Sequence, residues 1–231
     1  MKVHINESAP LPSKEEMTEI KDIHGKTIYT DNDVRARKKI NPHVPRTTKT
    51  QFGDGLDLRK INLKGKNLSG ARLDGCDLLL SDLTGIDLSN SSLSNSNVES
   101  VKLDKSNMDN ATCLRAMFKY SIITNASCKG IKMYGTNLLG TKLNGSDFSK
   151  ADLGKTYFAH AFAEGTNFTG AKFEGADLTS TSVKNSNFKN ANFDKADLTN
   201  TDFTGANLEG ASFKGAFLDN TNFTNTILDK K

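Results

Sequence analysis

The chain of 231 residues is poor in the residues that build a conventional globular core. It has no Trp, aromatic residues make up only 7% of the sequence and hydrophobic residues only 35%, and the mean hydropathy is -0.52. So little apolar material indicates disorder or a repeat array rather than an ordinary globular domain. The three cysteines form no CxxC pair, which argues against both a zinc knuckle and a disulfide framework.

Long apolar runs and a strong charge imbalance are also missing. No apolar run approaches membrane-spanning length, and the N-terminus lacks the apolar stretch of a secretory signal. We therefore expect a protein that is made in the cytoplasm and does not enter a membrane. The 31 Lys and Arg against 27 Asp and Glu give a net charge of +4, which is too small to indicate nucleic-acid binding by itself.

Proline and phenylalanine are distributed unevenly and mark a domain boundary. All four Pro lie in the first 50 residues, whereas 12 of the 13 Phe follow residue 100. We accordingly divide the chain into an N-terminal arm, residues 1–55, and a repeat region, residues 56–231. The arm should be largely extended, with a short strand over Lys26 to Thr30. A capping box, Ser13-x-x-Glu16, predicts a short helix over residues 14–23 that ends before Gly25.

A five-residue repeat fills the rest of the chain. From residue 56 to residue 230 there are 35 consecutive blocks of five without insertion or deletion. The third residue is Leu or Phe in 27 blocks, the first is Ala, Ser, Thr or Cys in 29, and the second is Asp or Asn in 19. The fifth is Gly or Asn in 23, the residue types that best tolerate a positive φ. A type II-like bend every five residues predicts a square coil of 20 residues, with the first and third residues inside.

This pattern resembles the pentapeptide-repeat family, whose motif is A(D/N)Lxx. Blocks that carry the resemblance include Ala176-Asp177-Leu178-Thr179-Ser180 and Ala206-Asn207-Leu208-Glu209-Gly210, and it extends over residues 56–230. The resemblance implies an all-β solenoid, a right-handed quadrilateral β-helix of about nine coils, here preceded by the extended arm. At the strand spacing of about 4.8 Å the rod would be about 40 Å long.

The repeat itself explains the residues that could otherwise act in catalysis or bind a metal ion. Cys113 and Cys128 fall on inward third positions and Cys76 on an inward first position, where they fill the core. His160 sits on an outward fifth position without an orienting partner or a pocket. The second-position Asp and Asn lack the nine-residue Gly-rich repeat of calcium-binding β-rolls and are better explained as turn-stabilising residues. We predict no catalytic, metal or cofactor site.

The predicted function is that of a non-enzymatic structural or protein-interaction module. In this hypothesis a rigid rod is anchored through its arm in a larger assembly, and a bacteriophage virion component is the specific form that we favour. The arm contains a basic cluster that would make these contacts: Arg35, Arg37, Lys38 and Lys39. The same cluster leaves a contact with nucleic acid open as an alternative.

Other functional classes agree less well with the sequence. Some members of the resembled family act on DNA gyrase by imitating duplex DNA, which needs dense negative charge. Residues 51–231, however, carry 21 Lys and Arg against 20 Asp and Glu. Acyltransferases with a left-handed β-helix repeat every six residues, so a period of five argues against an enzyme. The sequence neither supports nor excludes a bacterial effector or scaffold protein.

Apolar residues at outward positions predict where a partner binds. Most outward positions are polar, so a contiguous apolar patch indicates an interface. The outward residues that depart from this polar pattern concentrate on adjoining faces of the middle coils and continue toward the N-terminal end. They are Leu79, Leu80, Leu114, Met117, Tyr120, Tyr134, Leu139, Tyr157 and His160. The alternative is that these repeats have drifted and that their side chains lie flat on the rod.

Overall fold

Two short strands precede the repeats. The structure, a computed structural model, describes residues 19–21, 27–30 and 58–228. Strand β1 (Glu19–Lys21) pairs antiparallel with strand β2 (Thr27–Thr30). The predicted strand near Lys26 to Thr30 is therefore confirmed, whereas the helix predicted over residues 14–23 is wrong for residues 19–21.

The composition of the segment explains this correction. A helix of about ten residues is marginal in isolation, and the β-branched Thr18, Ile20 and Ile23 disfavour it further. Pairing with β2 offers the backbone hydrogen bonds that a short helix would have to supply alone. The predicted arm contacts lie outside the described residues: Arg35, Arg37, Lys38 and Lys39.

The repeat region is a coil that closes every 20 residues. The second residue of each block forms a parallel bridge with the second residue 20 positions on, from the pair Asn62 and Asp82 to the pair Asn207 and Ile227. Each of the four sides of a coil is therefore one five-residue block, as predicted. The predicted total of about nine coils includes residues outside the described range and stays a prediction.

Each block bends at its fifth residue. The fifth residues from Lys60 to Asn225 all have a φ between 50° and 71°. A hydrogen bond from the next residue's N–H to the carbonyl of the third residue closes the turn, as between Ala71 and Leu68 at 3.0 Å. The turn runs from the third residue of one block to the first residue of the next, so the fifth residue of the block is the third of the turn. A positive φ at that position is the type II geometry, which explains why Gly and Asn dominate the fifth position.

Third residues fill the axis of the rod. From Leu58 to Leu208 each is at most 2% exposed, and Phe rings 20 residues apart stack, as Phe168 does on Phe188 with centroids 4.9 Å apart. In the last described coil Leu218 is exposed, because no further described coil covers it. The residues predicted to point inward are all buried: Leu83, Phe118, Phe148, Phe173 and Phe203.

First residues also face inward, and in the described coils their buried hydroxyls donate to backbone carbonyls, with the exception of Ser106 Oγ, which has no partner. Thr136 Oγ1 donates to the carbonyl of Cys113 at 2.7 Å, and Thr141 Oγ1 donates to that of Leu138 at 2.6 Å. Buried hydroxyls with such partners are tolerated in a core. The first position therefore accepts Ser and Thr as well as Ala.

In most blocks four of the five N–H groups donate to backbone carbonyls, and the N–H of the fourth residue depends on a side chain. In the block that begins at Ser81, the N–H of Leu83 donates to Lys102 and that of Gly85 to Asp104. The N–H of the fourth residue, Thr84, donates instead to Asp82 Oδ1 at 3.2 Å. The second-position Asp and Asn are thus the turn-stabilising residues that the sequence predicts, and we call this hydrogen bond the turn cap.

A second kind of turn cap operates between coils. Asp109 Oδ1 accepts hydrogen bonds from Ser127 Oγ at 2.7 Å and from the N–H of Lys129 at 2.8 Å. The carboxylate therefore replaces the Asp or Asn that the block of Ser127 lacks. Asp74 and Asp194 cap the blocks of Ser92 and Ser212 in the same way.

The caps Asp82 and Asp202 should make the stability of the rod depend on pH. Burial raises the pKa of each carboxyl, but hydrogen bonds from Thr84 and Lys64, and from Thr204 and Lys184, lower it by more, so each pKa lies below its ordinary value. A depressed folded-state pKa stabilises the protein above the unfolded pKa of about 3.9, and this contribution disappears as the pH falls through the folded value. We expect the double variant Asp82→Asn/Asp202→Asn to lose less stability than the wild type between pH 5 and pH 2, because Asn keeps the caps but does not titrate.

Urea unfolding midpoints across that pH range measure the difference. An identical loss of stability in both proteins would contradict the assignment.

Candidate protein-interaction site

The four sides of the coil carry different residues, and we name them in chain order. Face A consists of the blocks that begin at residues 76, 96, 116 and every 20 thereafter; faces B, C and D begin in the same way at 81, 86 and 91. Face A lies between face D and face B, and face C lies opposite face A. Residues 20 apart on one face form a column along the rod.

Faces A and B carry large apolar side chains in their second-residue columns. Met117 and Tyr157 lie two coils apart on face A, and Ile122 and Phe162 lie two coils apart on face B. Tyr157 is 59% exposed and Phe162 is 49% exposed. These residues occupy the position where Asp or Asn is the commonest choice and supplies the turn cap.

The apolar residues leave the turn caps of their blocks unmade. Within residues 58–228, the fourth-residue N–H groups of four blocks make no hydrogen bond: Lys119, Thr124, Ala159 and Glu164. Between the two apolar residues of face A, the Asn137 side chain still accepts from the N–H of the fourth residue of its block at 3.1 Å. Each of these four apolar residues therefore stands in a block without a turn cap, as several lysines of the second-residue columns also do.

Two further tyrosines lie over glycines of the following coil. A Cβ on Gly140 would be 2.8 Å from the Tyr120 ring, and a Cβ on Gly154 would be 2.9 Å from the Tyr134 ring. Lys155 Nζ also lies 5.9 Å from the centroid of the Tyr134 ring. The rings thus rest against the rod, as the drift alternative expects, but Tyr120 remains 55% exposed and Tyr134 43% exposed.

The predicted patch extends over the adjoining faces D and A. His160 and Leu80 are exposed with the three tyrosines, and four members are half-buried: Leu79, Leu114, Met117 and Leu139. The sequence prediction omitted Phe162 and Ile122. Both occupy outward second positions, which is the signal that identified Met117 and Tyr157.

The chemistry available at these residues is recognition. Among the described residues, no cluster of His, Cys, Asp and Glu is placed to hold a metal ion. Cys113 and Cys128 are fully buried, and burial together with neighbouring carboxylates raises the pKa of both thiols. In the described part of the chain there is also no helix long and apolar enough to cross a bilayer.

The fold is that of a solenoid whose five-residue sides share one backbone geometry. The family model for pentapeptide repeats matches eight copies over residues 54–90, 81–118, 113–149, 121–158, 146–185 and 186–225. The chain belongs to the pentapeptide-repeat family. Proteins of this family form right-handed quadrilateral β-helices and are generally non-enzymatic structural or interaction modules.

Three solved structures illustrate the similarity. HetL from the cyanobacterium Nostoc, a protein involved in the regulation of heterocyst differentiation, is 21% identical over 75% of this chain and 90% of its own, with a TM-score of 0.42. Trypsin-treated QnrB1, a plasmid-mediated fluoroquinolone resistance protein, is 14% identical over 74% and 92%, with a TM-score of 0.48. A protein of the Arabidopsis thaliana thylakoid lumen is 32% identical over 39% and 70%, with a TM-score of 0.21.

No curated protein matches the chain. None of the three structures is described as a bacteriophage protein, so the virion hypothesis gains no support from them.

Proposed function

We propose that this protein is a non-enzymatic interaction module, a rigid β-helical rod that binds a protein partner through its middle coils. The proposed contact surface, which we call the mid-rod patch, lies on the adjoining faces D, A and B, and Leu79 and Leu80 continue it toward the N-terminal coils. Its members are Leu114, Met117, Tyr120, Ile122, Tyr134, Leu139, Tyr157, His160 and Phe162.

The observation that carries the proposal is that the patch weakens the rod. At the blocks of Met117, Ile122, Tyr157 and Phe162 the chain lacks a turn cap, and a hydrogen bond of this kind contributes about 1 kcal/mol. The same side chains leave apolar surface in contact with water, and that surface contributes nothing to the stability of the fold. Residues that leave a turn cap unmade and expose apolar surface are explained by a partner that covers them.

The proposal is narrower than the hypothesis from the sequence. Anchoring in a larger assembly through Arg35, Arg37, Lys38 and Lys39 stays a prediction, and so does a contact of this cluster with nucleic acid. A gyrase-directed duplex mimic is disfavoured by the balanced charge of residues 51–231. An effector or a cellular scaffold would use the same patch, and the partner would distinguish them.

The double variant Tyr120→Ser/Tyr157→Ser should bind the partner at least about 30-fold more weakly than the wild type. Exposed aromatic anchors contribute about 1 kcal/mol or more each to an interface. Both side chains are more than half exposed, so the variant should stay folded. The measurement is quantitative mass spectrometry of proteins captured from the source cells by the tagged full chain, followed by titration of the captured partner.

Phe217→Ser supplies the matched control. Phe217 occupies the same column of face A three coils beyond Tyr157 and is 63% exposed, but it lies outside the mid-rod patch. Capture should be unchanged in this variant. A folded tyrosine variant that captured the same partners at wild-type levels would leave drift as the explanation of the patch.

A further inference from the structure

Face B contains a continuous column of unsatisfied backbone donors. Within the described residues, the fourth-residue N–H groups of five consecutive coils make no hydrogen bond: Asp104, Thr124, Asn144, Glu164 and Lys184. On the same face the N–H groups of Thr84 before the column and Thr204 after it are capped, by Asp82 and Asp202. The column is therefore a local feature with two defined ends.

The opposite behaviour of face C shows that bare donors are not general to this fold. Every fourth-residue N–H of face C is capped in the eight coils from Ser69 to Glu209. The cap depends only on an acceptor at the second position or on an Asp in the preceding coil. Over five coils face B has no Asp or Asn at the second position, and its one Asp in the fourth-residue column, Asp104, accepts from Thr124 Oγ1 instead of from the N–H of Thr124.

In the first four of these coils the second residues alternate between cations and apolar groups, and in the fifth coil the second residue is Ser182. Consecutive bridges run from Lys102 to Ile122, Lys142 and Phe162, and both lysines are exposed. Two carboxylates of the column are already engaged within the rod. Asp104 accepts from Thr124 Oγ1, and Glu164 Oε1 accepts from Ser182 Oγ at 2.8 Å.

The column thus presents positive charge, free N–H donors and apolar side chains in one line. We propose that it binds an acidic amphipathic helix of a protein partner, lying along the rod, with carboxylates on the lysines and the bare N–H groups and apolar side chains on Ile122 and Phe162. The proposal deepens the proposed function and rests on it, since the column adjoins the apolar residues of face A. Coils are about 4.8 Å apart, close to the 5.4 Å between successive helical turns, so carboxylates one turn apart can follow the column.

Nucleic acid is a poorer match than an acidic helix for the residues of this column. A phosphate backbone carries negative charge at every step, and it would place phosphates against Ile122, Phe162 and the carboxylates Asp104 and Glu164. The alternation of lysine with apolar residues instead matches a peptide whose acidic and apolar residues are interspersed.

The test exploits the fact that a lost cap can be restored. In Lys102→Asn/Lys142→Asn each Asn should cap the N–H two residues on, as Asn137 caps Leu139 at 3.1 Å. The variant therefore removes two cations and two free donors but adds two turn caps. We expect it to unfold at a higher urea concentration than the wild type and to bind the probe at least tenfold more weakly. A variant that merely damaged the rod would lose stability and binding together.

Face D offers a matched control. Lys132 and Lys172 are exposed second residues two coils apart, and within the described residues the N–H groups of Tyr134 and Glu174 have no acceptor. Lys132→Asn/Lys172→Asn thus makes the same change in charge and the same two caps on the side of the coil opposite face B. It should gain similar stability and keep wild-type affinity for the probe.

The probe is a fluorescein-labelled synthetic helical peptide with Glu and Leu at successive turns of one face, titrated with the full chain and followed by fluorescence anisotropy. A peptide with Gln in place of Glu and a DNA duplex are the comparison ligands. Equal losses in both double variants, wild-type affinity in the face B variant, no binding of the acidic peptide, or preferential binding of DNA would each overturn the proposal. The tyrosine capture experiment uses other residues and the native partner, so the proposed function can survive this failure.

Discussion

Replacing Phe173 with alanine should lower the free energy of unfolding by about 3–5 kcal/mol, the usual cost of deleting a buried aromatic ring. The ring is fully buried and stacks on Phe193, with centroids 5.0 Å apart and planes 13° from parallel. It also meets Phe168 edge-on at 5.3 Å. Because each coil depends on its neighbours, the cavity removes contacts in both directions along the rod. Urea unfolding followed by circular dichroism measures the loss.

Phe162→Ala is the matched control for this prediction. The residue is the same type and lies in the same coil, on the opposite face, but it occupies an outward second position and is 49% exposed. We expect a loss of about 1 kcal/mol or less, since roughly half of its surface already contacts water. Equal losses in the two variants would show that the Phe stacks do not dominate stability in this half of the rod.

The architecture was predictable because the same five-residue pattern occurs in 35 consecutive blocks. A large third residue, a small first residue and a fifth residue that tolerates a positive φ each follow from one local requirement of the coil. A single departure such as Cys113 therefore changes one rung and leaves the register intact. Side-chain direction was predictable for the same reason, and Tyr120 and Tyr157 are exposed as expected.

What the sequence did not reveal depends on side-chain contacts between successive coils. Asp109 caps the block of the next coil by accepting from residues 18 and 20 positions ahead. The pattern within a single block does not predict such a bond. The free donors of Thr124 and Asn144 likewise emerge only when every hydrogen bond of the coil is assigned. The N-terminal segment has no repeat, so the prediction for Ile20 rested on weak helix signals alone. Pairing of β1 with β2 overrides those signals.

Gly205→Val should destabilise the rod by about 3 kcal/mol, and Gly165→Val by about 2 kcal/mol. Both glycines are corner residues, with φ of +71° and +63°. In this region an ordinary side chain costs about 1–2 kcal/mol and a β-branched one more. No fifth residue from Lys60 to Asn225 is β-branched, although Thr is common elsewhere in the repeats.

The difference between the two variants arises from the preceding coil. A Cβ at position 205 would be 2.4 Å from Asn185 Oδ1, whereas a Cβ at position 165 would have no atom within 4 Å. The entropy that Val removes from the unfolded chain is the same in both variants and cancels in the comparison. Adding Asn185→Gly to Gly205→Val should therefore recover about 1 kcal/mol and bring this variant to the level of Gly165→Val. If urea unfolding showed no recovery, corner side chains would not contact the next coil as described, and the alternation of bulky corners with glycine along these columns would need another cause.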